Sequence, residues 1–322
     1  MNKDRHEGFI FTNIATFMES DFVKEIDETK KYDITFVGIP HDVGVSYRRG
    51  AMFGPQAVRE ISMWEKLNGK QFFDTYSGEV INTNMYSICD FGDVFLSRSS
   101  IKEAHNQIYT TIKEIRKNSF PLIMGGDHSI AYSTIRGCID SSGIAKEKIA
   151  ILHIDAHCDT EEGCLGLHTY HHGAPFRLLI EEGHIIGKNL YSIGQRGILP
   201  NYQIEYAKER GIHLYTMPEI RKAGFEKFLK NLLQELSQYE AVYVTLDVDS
   251  MNPAEIRGTG TPVEGGFYSY EIQELVKKLK YLNIIGFEMV ELAPEFDPSG
   301  YSTIIASNIF WQFLAIGLIL KK

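Results

Sequence analysis

The sequence predicts an α/β fold: three layers, αβα, around a mostly parallel sheet. Short apolar runs alternate along the chain with amphipathic stretches of helical spacing. Each run is apolar at both parities, as expected of a strand covered on both faces, and not at one parity as in a half-exposed hairpin. No Gly/Pro/Ser-rich linker, internal repeat or charge block divides the 322 residues. A single domain over residues 1–322 is therefore expected, with its core at about 34–320 and residues 1–30 as an N-terminal extension.

Taken in order, Ile34–Ile39 is the first expected strand, ended by Pro40. Pro55–Leu67 follows as a helix, with Pro near its start and apolar residues at Val58, Ile61 and Trp64–Leu67. Gly69–Thr83 has the composition of a loop. Ile101–Lys117 has helical spacing, and Phe120–Met124 is a strand ended by two glycines. Ile149–Ile154, Leu190–Ile193, Ala241–Leu246 and Asn283–Phe287 continue the strand series, with a helix expected at Phe225–Tyr239. Thr160–His172 again looks like a loop. Residues 298–320 carry no charge and are long enough to span a bilayer. Ser302, Ser307, Asn308 and Gln312 interrupt that stretch, so a buried terminal helix is expected and no membrane span.

Composition narrows the function classes. Hydrophobic residues at 43% and charged residues at 23% are those of an ordinary globular protein. A net charge of −9 argues against binding a phosphate backbone, hence against a nucleic-acid partner. None of the four cysteines forms a CxxC pair, so neither a disulfide framework nor a zinc ribbon is indicated. The N-terminus has no apolar signal core, and the cytoplasm is the expected location.

Open parallel sheets place ligands beyond the carboxyl ends of their strands. Three of the expected strand ends deliver His and Asp: Gly125-Gly126-Asp127-His128-Ser129, Asp155-Ala156-His157-Cys158-Asp159 and Asp247-Val248-Asp249. If each strand continues in extended form, Asp155, His157 and Asp159 share one side, as do Asp247 and Asp249. Four clustered carboxylates repel unless cations balance them. Imidazole and carboxylate donors without thiolate favour Mn²⁺ or a similar ion, and two ions bridged by carboxylates would sit about 3.5–4 Å apart.

These segments resemble the ureohydrolase family of arginases, agmatinases and guanidino-acid hydrolases. The likeness rests on Gly125–Ser129, on Asp155–Thr160 and on Thr245-Leu246-Asp247-Val248-Asp249-Ser250-Met251-Asn252-Pro253. It is supported by Arg49–Pro55, His172–Arg177 and Gly258–Pro262. The resemblance implies an arginase-like fold and two metal ions per subunit, Mn²⁺ or in some relatives Ni²⁺. One ion would be held by His128, Asp155, Asp159 and Asp247, and the other by His157, Asp155, Asp247 and Asp249. It further implies water activated between the ions, His172 as proton shuttle, Glu291 as partner of the substrate guanidinium, and a homo-oligomer, trimer or hexamer. Asp127 is expected to orient a neighbour and Cys158 to pack; His168 and His171 share the loop with His172 and are its rivals as the shuttle, the adjacent Gly173 and the resemblance favouring His172 and leaving the other two as exposed loop histidines. His41 departs from the family's usual residue near the expected pocket mouth.

The implied substrate is a small guanidino compound. Arginases of the family carry a Ser-x-Asn-type arrangement before the shuttling histidine, where this chain has Leu167-His168-Thr169-Tyr170-His171-His172. The loop Ser192-Ile193-Gly194-Gln195-Arg196-Gly197 lacks the acid with which arginases read an α-amino group. Agmatine, cleaved to putrescine and urea, or a short compound such as guanidinobutyrate is therefore expected, with arginine and formiminoglutamate as alternatives. A nucleotide-dependent oxidoreductase would need G-x-G-x-x-G, which is absent. A zinc deaminase would need H-x-E with P-C-x-x-C, also absent. A deacetylase sharing the architecture would lack the pairing of Asp-Val-Asp with Gly-Thr-Gly-Thr-Pro. Nothing supports a non-catalytic metal-binding scaffold, since all six ligand positions are intact.

Overall fold

A computed structural model describes residues 14–63, 71–75, 78–82, 86–162 and 169–318. Its strands are β1 (Asp21–Phe22), β2 (Ile34–Gly38), β3 (Gln71–Asp74), β4 (Glu79–Asn82), β5 (Ile88–Asp93), β6 (Phe120–Met124), β7 (Ile149–Ile154), β8 (Leu190–Ile193), β9 (His213–Tyr215), β10 (Ala241–Asp247) and β11 (Ile284–Val290). The helices are α1 (Gly54–Ser62), α2 (Ile101–Asn118), α3 (Ala131–Ser142), α4 (Pro175–Glu181), α5 (Asn201–Arg210), α6 (Met217–Ala223), α7 (Phe225–Leu236), α8 (Ser269–Lys278) and α9 (Tyr301–Gln312).

Nine strands form one sheet in the order β1-β5-β2-β6-β11-β10-β7-β8-β9. Every neighbouring pair in it is parallel. The six expected strands all appear, three with the expected ends and three with ends shifted by one to three residues. Their continuous apolar character has a direct cause. In β6, Phe120, Leu122 and Met124 enter one apolar core and Ile123 the other. β10 divides likewise, with Val242, Val244 and Leu246 on one face and Ala241 and Tyr243 on the opposite face. Helices α6 to α9 cover the first face through residues such as Ile220, Leu232, Leu275 and Phe310. Helices α2 to α5 cover the second through Ile112, Ile135, Leu179 and Ala207.

Three expectations need correction. Gly69–Thr83 is not simply a loop: β3 and β4 within it pair antiparallel, Phe72 opposite Ile81. The helix expected over Pro55–Leu67 ends at Ser62 among the described residues, and residues 64–67 lie outside them. Strand β5 was not anticipated because its sequence, Ile-Cys-Asp-Phe-Gly-Asp, carries two acids. Those acids pair with the buried Arg59: its Nε reaches the buried Asp90 Oδ2 at 2.8 Å and its Nη1 reaches the exposed Asp93 Oδ1 at 2.6 Å.

Topology places the site. The chain leaves β6, skips two positions to β7, runs outward through β8 and β9, and returns to insert β10 and β11. Strands β6, β11, β10 and β7 thus become consecutive neighbours, with Met124 level with Met289 and Leu246 level with Ile154. The residues just past these four ends necessarily crowd together.

The uncharged C-terminal stretch is core. α9 continues as a single π turn through Gly317, and Phe310 packs edge-on to Phe17, Phe36 and Phe287. No helix among the described residues is long and apolar enough to cross a membrane. Phe310→Ala should cost about 3–5 kcal/mol of unfolding free energy, read as a lower denaturation midpoint; an unchanged midpoint would deny α9 its place in the core.

Candidate metal and catalytic centre

His128, Asp155, Asp159, Asp247 and Asp249 are each less than a tenth exposed and sit beyond the ends of β6, β7 and β10. Extended backbone is not what gathers them. Asp247 ends β10 and accepts the Asp249 N–H at 2.7 Å, opening a 3-10 turn over Val248–Ser250. Asp155 likewise accepts the His157 N–H at 2.6 Å, and Asp159 adopts a left-handed backbone with φ of 50°. Turns that bond back on each carboxylate replace the expected strand continuation. Gly126 permits the tightest approach: a Cβ there would overlap the His41 backbone, whose carbonyl accepts the Asp127 N–H at 2.7 Å.

The donor atoms fall into two groups, each spanning no more than 4.8 Å: His128, His153, Asp155 and Asp159 in one, Asp155, His157 and Asp249 in the other. His128 Nδ1 lies 3.0 Å from Asp155 Oδ2, 3.0 Å from Asp159 Oδ2 and 3.4 Å from Asp247 Oδ2. His157 Nδ1 lies 3.2 Å from Asp249 Oδ2 and 3.4 Å from Asp155 Oδ1. Asp155 belongs to both groups. The six expected ligands are therefore brought together, and His153 joins them. It was hidden as one residue of an apolar strand, although His153, Asp155, His157 and Asp159 share one parity. His153 Nε2 reaches Asp155 Oδ2 at 2.8 Å while Nδ1 reaches Ser192 Oγ at 2.7 Å, so it orients the shared carboxylate.

Electrostatics explain why a cation belongs here. Burial, then Asp249 and Asp155, push the Asp247 carboxyl well above the usual range. Burial and Asp155 raise Asp159 as well. Burial also works against charge on His128, yet its contacts with Asp155, Asp159 and Asp247 outweigh that and raise it well above an ordinary histidine. Without a metal the cluster must borrow protons. Oxygen and imidazole donors with a shared carboxylate fit a pair of hard or borderline divalent ions and lack the thiolates of a structural zinc site.

A second pair faces the same cleft of about 280 Å³. His172 Nδ1 is 3.0 Å from Glu291 Oε1, and its Nε2 is 2.8 Å from Ser46 Oγ. Burial opposes charge on His172, but Glu291 holds its pKa up at about 9. Glu291 is 2% exposed, has φ of 64° and accepts the His128 N–H at 3.0 Å. A strained backbone at a buried acid in a cleft is a mark of function.

The remaining candidates separate cleanly. Asp127 accepts from Gly44 N and Ser129 N, fixing the loop around His128. Cys158 is packed, burial pushing its thiol up to about 12. His41 does not line the cleft; it is buried with its ring 5.3 Å from that of His105. His171 is not an exposed loop histidine but 1% exposed, with Nδ1 3.7 Å from Glu161 Oε2. His168 lies outside the described residues.

Comparison with known proteins agrees with this geometry. The family described as "Arginase family" matches residues 32–315. Proclavaminate amidinohydrolase of Streptomyces clavuligerus is 32% identical over 313 residues, 97% of this chain and 95% of its own length. A mitochondrial agmatinase of Gallus gallus is 32% identical over 88% of this chain and 81% of its own. Formimidoylglutamase from Bacillus subtilis superposes with a TM-score of 0.83 at 26% identity, covering 96% of this chain and 94% of that one.

The charge imbalance has a measurable consequence. Asp247→Asn keeps an oxygen for the Asp249 N–H and relieves repulsion, so chelator-stripped Asp247→Asn should be at least as stable as the stripped native protein. Saturating Mn²⁺ should raise the native protein's stability by about 3 kcal/mol at 100 times Kd and the variant's by much less. Calorimetric melting with and without ion checks both signs.

Proposed function

The chain belongs to the arginase family, an amidinohydrolase by that membership, and from this premise we propose that it hydrolyses agmatine, or a related short guanidino compound, to urea and an amine. One observation carries the reading: three buried carboxylates stand within 3.4 Å of one imidazole nitrogen, beside an acid–histidine pair in the same cleft. On this reading His128, Asp155, Asp159 and Asp247 hold one Mn²⁺, while His157, Asp155, Asp247 and Asp249 hold a second, with Ni²⁺ as the alternative. When bound, such ions supply Lewis-acid charge that lowers the pKa of water toward about 7.

The protein's own groups do the rest. Glu291 offers the guanidinium a carboxylate, a planar partner for two parallel N–H donors. His172, held between Glu291 and Ser46, carries a proton at a ring nitrogen and passes it to the departing amine. Because Glu291 raises its pKa to about 9, His172 is charged at neutral pH and ready as an acid. Arg196 is turned away from substrate: its guanidinium donates to the carbonyls of Asp249, Ser250 and Met251. That loop therefore supports the ligand turn and supplies no acid to read an α-amino group, which favours agmatine over arginine. The reading further takes the protein as a cytoplasmic homo-oligomer, trimer or hexamer, of single-domain chains.

Urea release by Mn²⁺-loaded and Ni²⁺-loaded protein from agmatine, guanidinobutyrate, guanidinopropionate and arginine tests this. Agmatine or another short guanidino compound should lead. His172→Asn should lower kcat about 10²–10⁴-fold while metal content by elemental analysis stays at the native value. Arginine leading would overturn the substrate assignment, and silence across the set with both metals would overturn the reaction.

A further inference from the structure

We propose that Glu161 selects the substrate's far end, taking its ammonium group, so that the cleft accepts compounds cationic at both termini in preference to guanidino acids. This rests on the reading above, and it assigns a role to a residue that neither the metal cluster nor the His172–Glu291 pair uses.

The cleft is lined by acids and by a short apolar stretch. Glu291 and Glu161 both line it, together with Ile198, Leu199 and Pro200. Among the described residues that line it there is no Lys or Arg. A carboxylate tail would therefore find no lysine or arginine to replace its water, since the cationic imidazole of His172 is already engaged by Glu291 and Ser46, and it would face Glu161, at a cost in both desolvation and repulsion. An ammonium tail on a short methylene stem meets the opposite situation, its stem against the apolar stretch and its charge against an acid.

Glu161 is also held in place. Its backbone N–H donates to the Gly173 carbonyl at 2.8 Å, next to the proton-carrying His172. Its side chain lies across Gly173 so closely that a Cβ there would stand 2.9 Å from Glu161 Cδ. On its inner side the carboxylate lies 3.7 Å from His171 Nδ1, yet the side chain keeps about a third of its surface open. A charge so placed is fixed in direction but still reachable by a ligand.

Steady-state kinetics with three substrates built on a four-carbon chain separate the claims: agmatine with a cationic tail, butylguanidine with none, and guanidinobutyrate with an anionic one. The native protein should prefer agmatine over butylguanidine and use guanidinobutyrate least. Glu161→Gln should lower the agmatine-to-butylguanidine ratio of kcat/KM about tenfold or more, mainly through KM. Glu161→Asp should restore part of it, and Glu161→Lys should move the preference toward guanidinobutyrate. An equal fall for agmatine and butylguanidine in Glu161→Gln would mean a structural role only. Native protein that uses butylguanidine as well as agmatine would overturn the assignment of Glu161 and leave the hydrolase standing. Urea from none of the three would instead overturn the hydrolase itself.

Discussion

Burying several carboxylates within a few ångströms of one another is the constraint on which this protein is organised. Asp155, Asp159, Asp247 and Asp249 lie in an interior where unpaired charge is costly, and no arginine or lysine is in contact with their carboxylates among the described residues. The partners they do have are His128, His153 and His157, and three imidazoles at ordinary pH cannot neutralise four acids. Divalent cations held there would resolve the imbalance, and the sheet's order brings the candidate ligands to one place. Because β10 and β11 are inserted last between β6 and β7, four strand ends from distant parts of the chain open onto one point.

The same frustration prepares the chemistry. Glu291 accepts the backbone N–H of His128 and pairs with the ring of His172, so one buried acid ties the turn after β6 to the histidine that faces the cleft. The backbone strain at Asp159 and Glu291 is stored where two turns must present carboxylates inward, and the packed sheet beneath supplies the rigidity that sustains it. Arg196 stiffens the same region from outside by gathering carbonyls of the turn that follows β10.

How much of this was legible in the sequence depended on burial. The central strands read clearly because both faces of each are apolar, as in Phe120–Met124 and Ala241–Leu246. Strand β5, one place in from an edge, did not read at all: it holds Asp90 and Asp93 for Arg59, an interaction 31 and 34 residues distant that no local pattern reveals. That these acids and histidines would cluster was read from residue type and from their position after strand ends. The expected mechanism of their convergence was nonetheless incorrect, because side-chain parity assumes extended backbone and these carboxylates instead cap their own turns. His153 was missed because an apolar run conceals a single polar member. His171 is buried close to Glu161, ten residues back, in packing that sequence order does not show.

The central claim is that this acid cluster is built around two ions. Anomalous diffraction at the manganese edge, from crystals of the Mn²⁺-loaded protein, tests it most directly. The account predicts two peaks bridged by Asp155 and Asp247, one beside His128 and Asp159 and the other beside His157 and Asp249. No peak, or a single one held by His153 with Asp247 and Asp249 unengaged, would contradict it.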